Sequence, residues 1–366
     1  GGKPDKSPNL KKIVTFPDHS NSIYFSCPII LAAGANKTAN RIKDYANLGF
    51  GGITVGTATR NFREGNTHRP RIGFLENDRA IYNSMGLNND GIEAIAKRVD
   101  AQLMNAHKAG LSVGISVAET PGLTDEKEKL KDILESFSIA YKAGDYIEIN
   151  VSCPNTGENR VDLDMHFSEE LFAEIMNFRN GQALRKAALR LDEVLLVELD
   201  LRDARVEVGV DRPRRHQLSP DMSERHLMAI MEMLVRTGVN GVVVGNTYPT
   251  AKISELGTQT KREDLPPLRA DGDCGGLSGR PLYENMLWNV KYIREHYPKM
   301  SIIACGGIDH GYKVYDLIKM GVDAVQCYSV VAFRWMAAHA MRNELMDAML
   351  SDGYKSLGEY DDRNPR

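Results

Sequence analysis

A thiol between two amides follows an apolar stretch near the middle of the chain. Tyr146 to Val151 is rich in β-branched and aromatic residues, which favour a buried strand, and Pro154 ends it because proline cannot donate to a sheet. Asn150, Cys153 and Asn155 therefore come at the C-terminal end of that strand. Amides can hold a planar polar ligand, and a thiol with a modestly lowered pKa can act as a base near neutral pH. The alternative interpretation is a turn with a buried thiol.

Composition narrows the class of protein. The chain has 366 residues with 42% hydrophobic content, enough for a large core, and its net charge of -3 gives no indication of a nucleic-acid partner. The five cysteines are odd in number and contain no Cys-x-x-Cys pair, which argues against a disulfide framework, a zinc ribbon or an iron–sulfur cluster. We therefore expect a small-molecule substrate and no metal.

The location is predicted from what the sequence lacks. It has no run of about 18 apolar residues that would predict a transmembrane helix, and its cysteine usage fits a reducing, cytoplasmic compartment. The sequence starts Gly1-Gly2 rather than with Met. We expect peripheral membrane association if a docking segment precedes it.

Eight short apolar runs alternate with helical patterns along the chain. The runs suit fully buried parallel strands, and eight alternations predict an α/β protein, a (β/α)8 TIM barrel. We expect a single barrel domain over 1–366, with an N-terminal extension at 1–26. The predicted strands lie at 28–33, 51–56, 111–117, 146–151, 194–199, 240–245, 301–305 and 323–328. The predicted helices lie at about 38–49, 90–109, 125–143, 168–190, 222–237, 282–297, 310–320 and 331–350.

Glycines and amides recur directly after these predicted strands. Reacting groups of such barrels lie at the C-terminal ends of the strands, so these residues are expected at one rim. Glycine permits close backbone approach, and N–H groups at helix starts bind phosphate. Gly306-Gly307 and Tyr328-Ser329 follow the last two strands, where barrels commonly hold a phosphate group. Each glycine pair taken alone is equally typical of a turn.

Eight motifs, in this order, resemble the dihydroorotate dehydrogenase family of flavin-dependent barrels. They are AAGANK at 32–37, REGN at 63–66, NSMGLN at 83–88, NVSCPNT at 150–156, SPD at 219–221, NT at 246–247, GGLSGRPL at 275–282 and GGI at 306–308. The resemblance implies FMN in the barrel mouth and oxidation of dihydroorotate to orotate in de novo pyrimidine biosynthesis. It also implies a homodimer.

The resemblance assigns roles residue by residue. Cys153 is implied to be the base that takes the C5 proton while the C6 hydride goes to the flavin N5. The residues implied to hold the substrate are Lys37, Asn83, Met85, Gly86, Leu87, Asn150, Asn155, Asn246 and Thr247. The residues implied to hold FMN are Ala33, Gly34, Lys37, Thr57, Asn150, Ser278, Gly279, Gly306, Gly307, Tyr328 and Ser329.

Mixed features leave the electron acceptor open among fumarate, quinone and NAD. A cysteine base and the Asn-Ser-Met-Gly-Leu stretch are typical of the soluble class 1 enzymes, whereas Ala-Ala-Gly-x-x-Lys resembles the quinone-using class 2 enzymes. The family's lysine at strand five is also missing: Glu198 or Gln217 takes its position, depending on how the probable insertion at 200–218 is aligned.

Three hypotheses follow from these departures. The first is an active dihydroorotate dehydrogenase, and the second is a flavin-binding relative with impaired or no catalysis. The third is another flavin barrel, such as a dihydropyrimidine dehydrogenase-like enzyme or a tRNA dihydrouridine synthase. The net charge of -3 offers no support for the RNA-binding member of this group.

Overall fold

The chain forms a barrel of parallel strands. The computed structural model describes residues 9–15, 22–150, 165–186, 194–199, 222–239, 241–268, 272 and 274–363. Its strands are β1 (Lys12–Thr15), β2 (Ser22–Phe25), β3 (Ile29–Leu31), β4 (Gly52–Ala58), β5 (Ile72–Leu75), β6 (Ala80–Asn83), β7 (Ser112–Val117), β8 (Tyr146–Asn150), β9 (Val194–Leu199), β10 (Gly241–Val244), β11 (Tyr248–Pro249), β12 (Gly276–Gly279), β13 (Ser301–Cys305) and β14 (Ala324–Cys327). Eight of them close the barrel in the order β3, β4, β7, β8, β9, β10, β13 and β14, and β14 pairs with β3. The predicted (β/α)8 barrel is confirmed, and each predicted strand matches one of these eight.

Amphipathic helices cover the outside of the barrel. In α2, for example, Ile92, Ile95 and Val99 recur at helical spacing and are fully buried. The helices are α1 (Asp44–Asn47), α2 (Ile92–Lys108), α3 (Glu126–Ala140), α4 (Met165–Lys186), α5 (Met222–Thr237), α6 (Tyr283–His296), α7 (Gly311–Lys319), α8 (Val330–Phe333), α9 (Ala337–Ser351) and α10 (Leu357–Arg363). Short 3-10 turns lie at Thr250–Leu256, Arg262–Asp264 and Arg280–Leu282.

Two predicted helices differ from the observed ones. The pattern at 38–49 is helical only at α1, because Ala39 and Arg41 have φ angles of 55° and 52°, which a right-handed helix cannot contain. The pattern at 331–350 is split into α8 and α9, and Met336 at the break has a φ of 49°. Periodicity alone predicted one continuous helix in each case, and local backbone turns interrupt it.

The antiparallel pair β1–β2 closes the N-terminal end of the barrel. Val14, Ile23 and Phe25 from this pair pack against the first inward-facing layer of the barrel. That layer consists of Ile30, Tyr146, Val243, Ile303 and Ala324. The predicted N-terminal extension therefore contains a structural plug at its described residues.

A second, four-stranded sheet stands beside the opposite end of the barrel. Its order is β11-β12-β6-β5, and β12 pairs with both β6 and β11. Leu75, Tyr82, Leu277 and Leu282 belong to its own small core. The sequence did not predict this sheet, which brings Asn83 and Ser278 to the barrel rim.

Among the residues that the structure describes, no helix combines the length and the apolar character that crossing a bilayer requires.

Candidate active site

The C-terminal ends of the barrel strands open into a cleft of about 1030 Å³, including the solvent at its mouth. Every residue of the predicted site that the structure describes lines this cleft. Those from the barrel are Ala33, Gly34, Lys37, Thr57, Asn150, Asn246, Thr247, Gly306, Gly307, Tyr328 and Ser329. Those from the second sheet and its following loop are Asn83, Met85, Gly86, Leu87, Ser278 and Gly279. Cys153, Asn155, Gln217 and the probable insertion at 200–218 lie outside the described residues.

The amides of the cleft are held by neighbouring polar groups. Asn150 Nδ2 donates to Thr57 Oγ1 at 3.3 Å, and Thr57 Oγ1 lies 2.9 Å from Ser116 Oγ. Asn246 Oδ1 accepts from the backbone N–H of Thr247 at 2.7 Å. These contacts fix the amide planes, which favours recognition of a rigid, planar ligand with both donors and acceptors.

The loop after β6 is fixed from behind by the segment at 63–66. Gly86 and Leu87 have φ angles of 71° and 54°, so the chain turns sharply here. Arg63 Nε donates to the carbonyl oxygen of Gly86 at 3.2 Å, and the N–H of Asn66 donates to that of Met85 at 3.1 Å. With these carbonyls engaged behind it, the loop can present N–H groups to an anionic ligand in the cleft.

Glycines bring the backbone to the surface of the cleft at the ends of the last two barrel strands, where a phosphate site is predicted. Gly306 and Gly307 both have positive φ, and a Cβ at Gly307 would lie 2.6 Å from the backbone nitrogen of Tyr283. A Cβ at Gly34 would meet no other atom within 4 Å, because it would project into open space. Packing therefore excludes a larger residue at Gly307. At Gly34 the side chain of a larger residue would instead occupy part of the cleft.

The floor of the cleft is polar, which the sequence interpretation did not foresee. Gln326 lines the cleft and donates from Nε2 to Glu148 Oε2 at 2.8 Å. Burial raises the pKa of Glu148 to about 7, and the hydrogen bonds from Gln326 and Thr54 oppose that shift. The sequence pattern that could have indicated this polar floor is the alternation of Tyr146, Glu148 and Asn150 in a buried strand, because residues two apart share one face.

Two further thiols border the cleft. Cys305 ends β13 and Cys327 ends β14, and both side chains line the cleft. Burial raises the pKa of Cys327 to about 12, so this thiol stays protonated near neutral pH and cannot act as a base there. Cys27 and Cys274 are buried and do not line the cleft.

The position at which the resemblance expects a lysine lies in β9, the fifth strand of the barrel. Glu198 lies in β9, paired with Asn150 of β8 on one side and with Val243 of β10 on the other. Position 198 is therefore level with the last residue of β8, where the resemblance expects a lysine.

This fold and this cleft define a (β/α)8 barrel protein with a small-molecule site at the C-terminal ends of its strands. Family comparison specifies the class further. The family model described as dihydroorotate dehydrogenase matches residues 19–349, and the chain belongs to this family of oxidoreductases.

Individual relatives agree with the family match. The protein named dihydroorotate dehydrogenase (quinone) from Dichelobacter nodosus is 32% identical over 299 residues, covering 82% of this chain and 77% of the relative. Its namesake from Bartonella henselae is 29% identical over 335 residues, covering 91% and 81%. The crystal structure of DHODH from Eimeria tenella in complex with ferulenol has a TM-score of 0.74 at 23% identity, covering 96% of this chain and 87% of that one. That structure is similar in fold.

Proposed function

We propose that this protein oxidises dihydroorotate to orotate in pyrimidine biosynthesis, with FMN in the cleft and a quinone as the electron acceptor. The main support for this proposal is the cleft. All described residues that the resemblance implied for substrate and cofactor line this one cavity at the barrel rim. Family membership supports the reaction, and the word quinone in the names of the relatives supports the acceptor.

The cleft residues fit FMN. The open space at Gly34 allows a flat ring system to approach the backbone, and the paired glycines at Gly306 and Gly307 provide N–H groups for a phosphate. Thr247 Oγ1, which the resemblance implies for the substrate, is buried and has no hydrogen-bond partner among the described residues. When bound, FMN supplies the acceptor for the C6 hydride at its N5, which no side chain can provide.

Different residues would bind the phosphate end and the ring end of FMN. Gly279, Gly306, Gly307, Tyr328 and Ser329 would hold the phosphate. Ala33, Gly34, Lys37, Thr57, Asn150 and Ser278 would contact the rest of the cofactor. Lys37 brings a positive charge to the cleft, which favours both an anionic cofactor and an anionic substrate.

Amides and backbone groups orient the pyrimidine. Asn83, Asn150, Asn246 and Thr247 would match the ring carbonyls and N–H groups, and Asn155 would complete the set. The backbone of Met85, Gly86 and Leu87 would bind the carboxylate. Such fixed donors and acceptors hold the substrate in one pose, which brings C5 toward the base.

Cys153 takes the C5 proton in this proposal. It lies three residues beyond Asn150, which lines the cleft, and three residues of extended chain span at most about 11 Å. An ordinary thiol pKa near 8.5 needs only a modest lowering for proton transfer near neutral pH. The buried Cys327 thiol, with its raised pKa, is not an alternative base.

An acceptor screen tests the proposal. FMN-loaded protein is mixed with dihydroorotate, and orotate is followed by its ultraviolet absorbance with a soluble quinone, fumarate or NAD supplied separately. We expect turnover with the quinone and little with the others. Dihydrouracil in place of dihydroorotate serves as the control for a dihydropyrimidine dehydrogenase-like activity. Turnover only with fumarate or NAD would refute the acceptor, and no turnover with any acceptor would refute the reaction.

A second candidate is a flavin-binding relative with impaired catalysis. It is favoured by the register of Glu198 with Asn150, because the resemblance expects a cation at that level. Protein that binds FMN and orotate but is not bleached by dihydroorotate under anaerobic conditions would establish it. Normal bleaching would exclude it.

A further inference from the structure

A buried carboxyl group lies inside the barrel, one layer below the cleft. Glu148 is 1% exposed and precedes Asn150 by two residues in β8, so the two side chains share the inner face of the strand. The proposed chemistry makes no use of Glu148. A buried charge is costly unless it is well hydrogen-bonded, so its partners indicate what it is retained for.

Two side chains donate hydrogen bonds to the Glu148 carboxylate. Gln326 Nε2 donates to Glu148 Oε2 at 2.8 Å and to Thr54 Oγ1 at 3.1 Å. Thr54 Oγ1 in turn donates to Glu148 Oε2 at 3.5 Å. The Tyr146 hydroxyl lies 2.8 Å from Thr54 Oγ1 and forms a hydrogen bond with it.

This network fixes the orientation of one amide in the cleft floor. A carboxylate can only accept hydrogen bonds, so the nitrogen of Gln326 rather than its oxygen must face Glu148. Both hydrogens of that nitrogen are used by Glu148 and Thr54. The Gln326 carbonyl oxygen is on the other side of the amide, and Gln326 lines the cleft.

We propose that Glu148 is a positioning residue of the flavin site, which holds the Gln326 carbonyl oxygen toward the cleft and places a negative charge beneath the cofactor. The inference rests on the proposed function, because it requires FMN in this cleft. A buried negative charge disfavours the arrival of electrons nearby. Glu148 therefore lowers the midpoint potential of bound FMN and favours the onward transfer of electrons to the acceptor.

The charge state of Glu148 supports this role at mildly alkaline pH. Burial raises its pKa to about 7, against the opposing effect of the two hydrogen-bond donors. The ionised fraction of the carboxyl group therefore rises with pH through the neutral range, so the potential is measured at a pH of about 8.

The test compares FMN midpoint potentials in Glu148→Gln, Glu148→Asp and wild-type holoprotein, by anaerobic titration against reference dyes. Glu148→Gln removes the charge at nearly constant volume. We expect a more positive potential and, at a fixed ratio of dihydroorotate to orotate, a rise on the order of tenfold in the ratio of reduced to oxidised FMN. Glu148→Asp keeps the charge and should stay near the wild-type potential.

A matched control separates this effect from general loss of a buried charge. Asp323 is also buried, and its carboxylate accepts from the backbone N–H of Ile302 at 2.8 Å, at the opposite end of the barrel. Asp323→Asn should lower stability and leave the flavin potential and visible spectrum unchanged. A purely structural role of Glu148 would give the same result in Glu148→Gln.

A second variant keeps the inference testable if Glu148→Gln does not fold. Gln326→Met removes the best donor to the carboxylate, which then neutralises more readily, so the potential should again become more positive. Unchanged potentials in both variants, in protein that binds FMN and is bleached by dihydroorotate, would overturn the inference alone. Wild-type protein that takes up no FMN would overturn the proposed function and this inference with it.

Discussion

The two ends of the barrel are built from the same strands and differ in almost every physical respect. At the N-terminal end Phe25 and Ile23 close the barrel, and Tyr146 packs beneath them in an apolar cluster. At the C-terminal end the same strand β8 finishes in Asn150, which lines an open cleft. Along one inner face, β8 therefore passes from packing at Tyr146, through the buried Glu148, to a ligand-facing amide.

The difference between the two ends shows where this fold can accommodate polar groups that have no hydrogen-bond partner within the protein. The rim contains glycines with positive φ and a buried hydroxyl of Thr247 without a partner among the described residues. A buried polar atom without a partner lowers stability, and a ligand that supplies the partner offsets that cost. The closed end compensates with tight packing. We therefore expect substitutions at the rim to change chemistry and substitutions at the closed end to change stability.

The largest effect is expected for Cys153→Ala at the rim. Removal of the proposed base should lower the rate of orotate formation by about 10²- to 10⁴-fold, because general bases commonly contribute that much. The thermal unfolding temperature of the FMN-loaded protein should stay close to the wild-type value. Cys153→Ser should also be slow, with its pH profile moved upward, since a hydroxyl is a weaker acid than a thiol.

Cys27→Ala is the matched control at the other end of the barrel. This thiol is fully buried and donates to the carbonyl oxygen of Gly49 at 3.4 Å. Its loss should lower the free energy of unfolding by about 1 kcal/mol and leave the rate unchanged. Equal rates in Cys153→Ala and wild type would contradict the assigned base.

The next effect is expected for Phe25→Ala at the closed end. Phe25 is fully buried, its ring centroid lies 6.2 Å from that of Tyr146, and a Cβ at Gly52 would lie 2.8 Å from the Phe25 ring. Truncation leaves a cavity in a tightly packed region and should cost about 3–5 kcal/mol of unfolding free energy, measured by urea denaturation.

The affinity for FMN and the KM for dihydroorotate should not change in Phe25→Ala. Phe62→Ala provides the surface control, because Phe62 is largely exposed and its loss should be nearly neutral. A large rise in KM in Phe25→Ala would show that the closed end is coupled to the cleft.

The same contrast explains how much the sequence could predict. The barrel strands were predictable because runs such as Val113–Val117 and Val242–Val244 are apolar and short, and most rim residues follow from where those runs end. The left-handed residues Ala39 and Arg41 interrupt a helical pattern for reasons that periodicity does not contain.

Contacts between residues that are far apart in the sequence were the other feature that the sequence did not predict. Glu148 meets Gln326 across 178 positions of chain, and β6 meets β12 only after the chain has passed through most of the barrel. A single sequence carries no record of such pairings. The motifs therefore indicated the rim, whereas the polar floor beneath it and the second sheet beside it required the structure.

A smaller effect distinguishes the two partners of an ion pair at the closed end. Lys12 is 2% exposed and its Nζ lies 2.6 Å from Asp361 Oδ1, whereas Asp361 is 39% exposed. Asp361→Ala leaves a buried ammonium group without its anion and should cost about 2–3 kcal/mol. Lys12→Met leaves a carboxylate that water can reach and should cost about 1 kcal/mol. Urea denaturation measures both, and the reverse order would refute this account of the pair.

The smallest effect is a pH dependence at the same end. His107 Nε2 lies 2.8 Å from Asp145 Oδ1, and Asp145 Oδ2 accepts from the backbone N–H of Val113 at 2.7 Å. The hydrogen bond with Asp145 raises the pKa of His107 above 6.5, against the opposing effect of partial burial. The stabilisation is therefore fully present below a pH of about 6.5 and is lost as the pH rises through the raised value.

Because His107 is 40% exposed, this contribution should amount to only a few tenths of a kcal/mol. His107→Gln should flatten the dependence of unfolding free energy on pH across that window and leave the pH profile of orotate formation unchanged. The reverse result, a shifted activity profile with an unaltered stability profile, would mean that a charge at the closed end acts on the cleft. The separation of chemistry and stability between the two ends would then be wrong, even if the larger effects at Cys153 and Phe25 were observed.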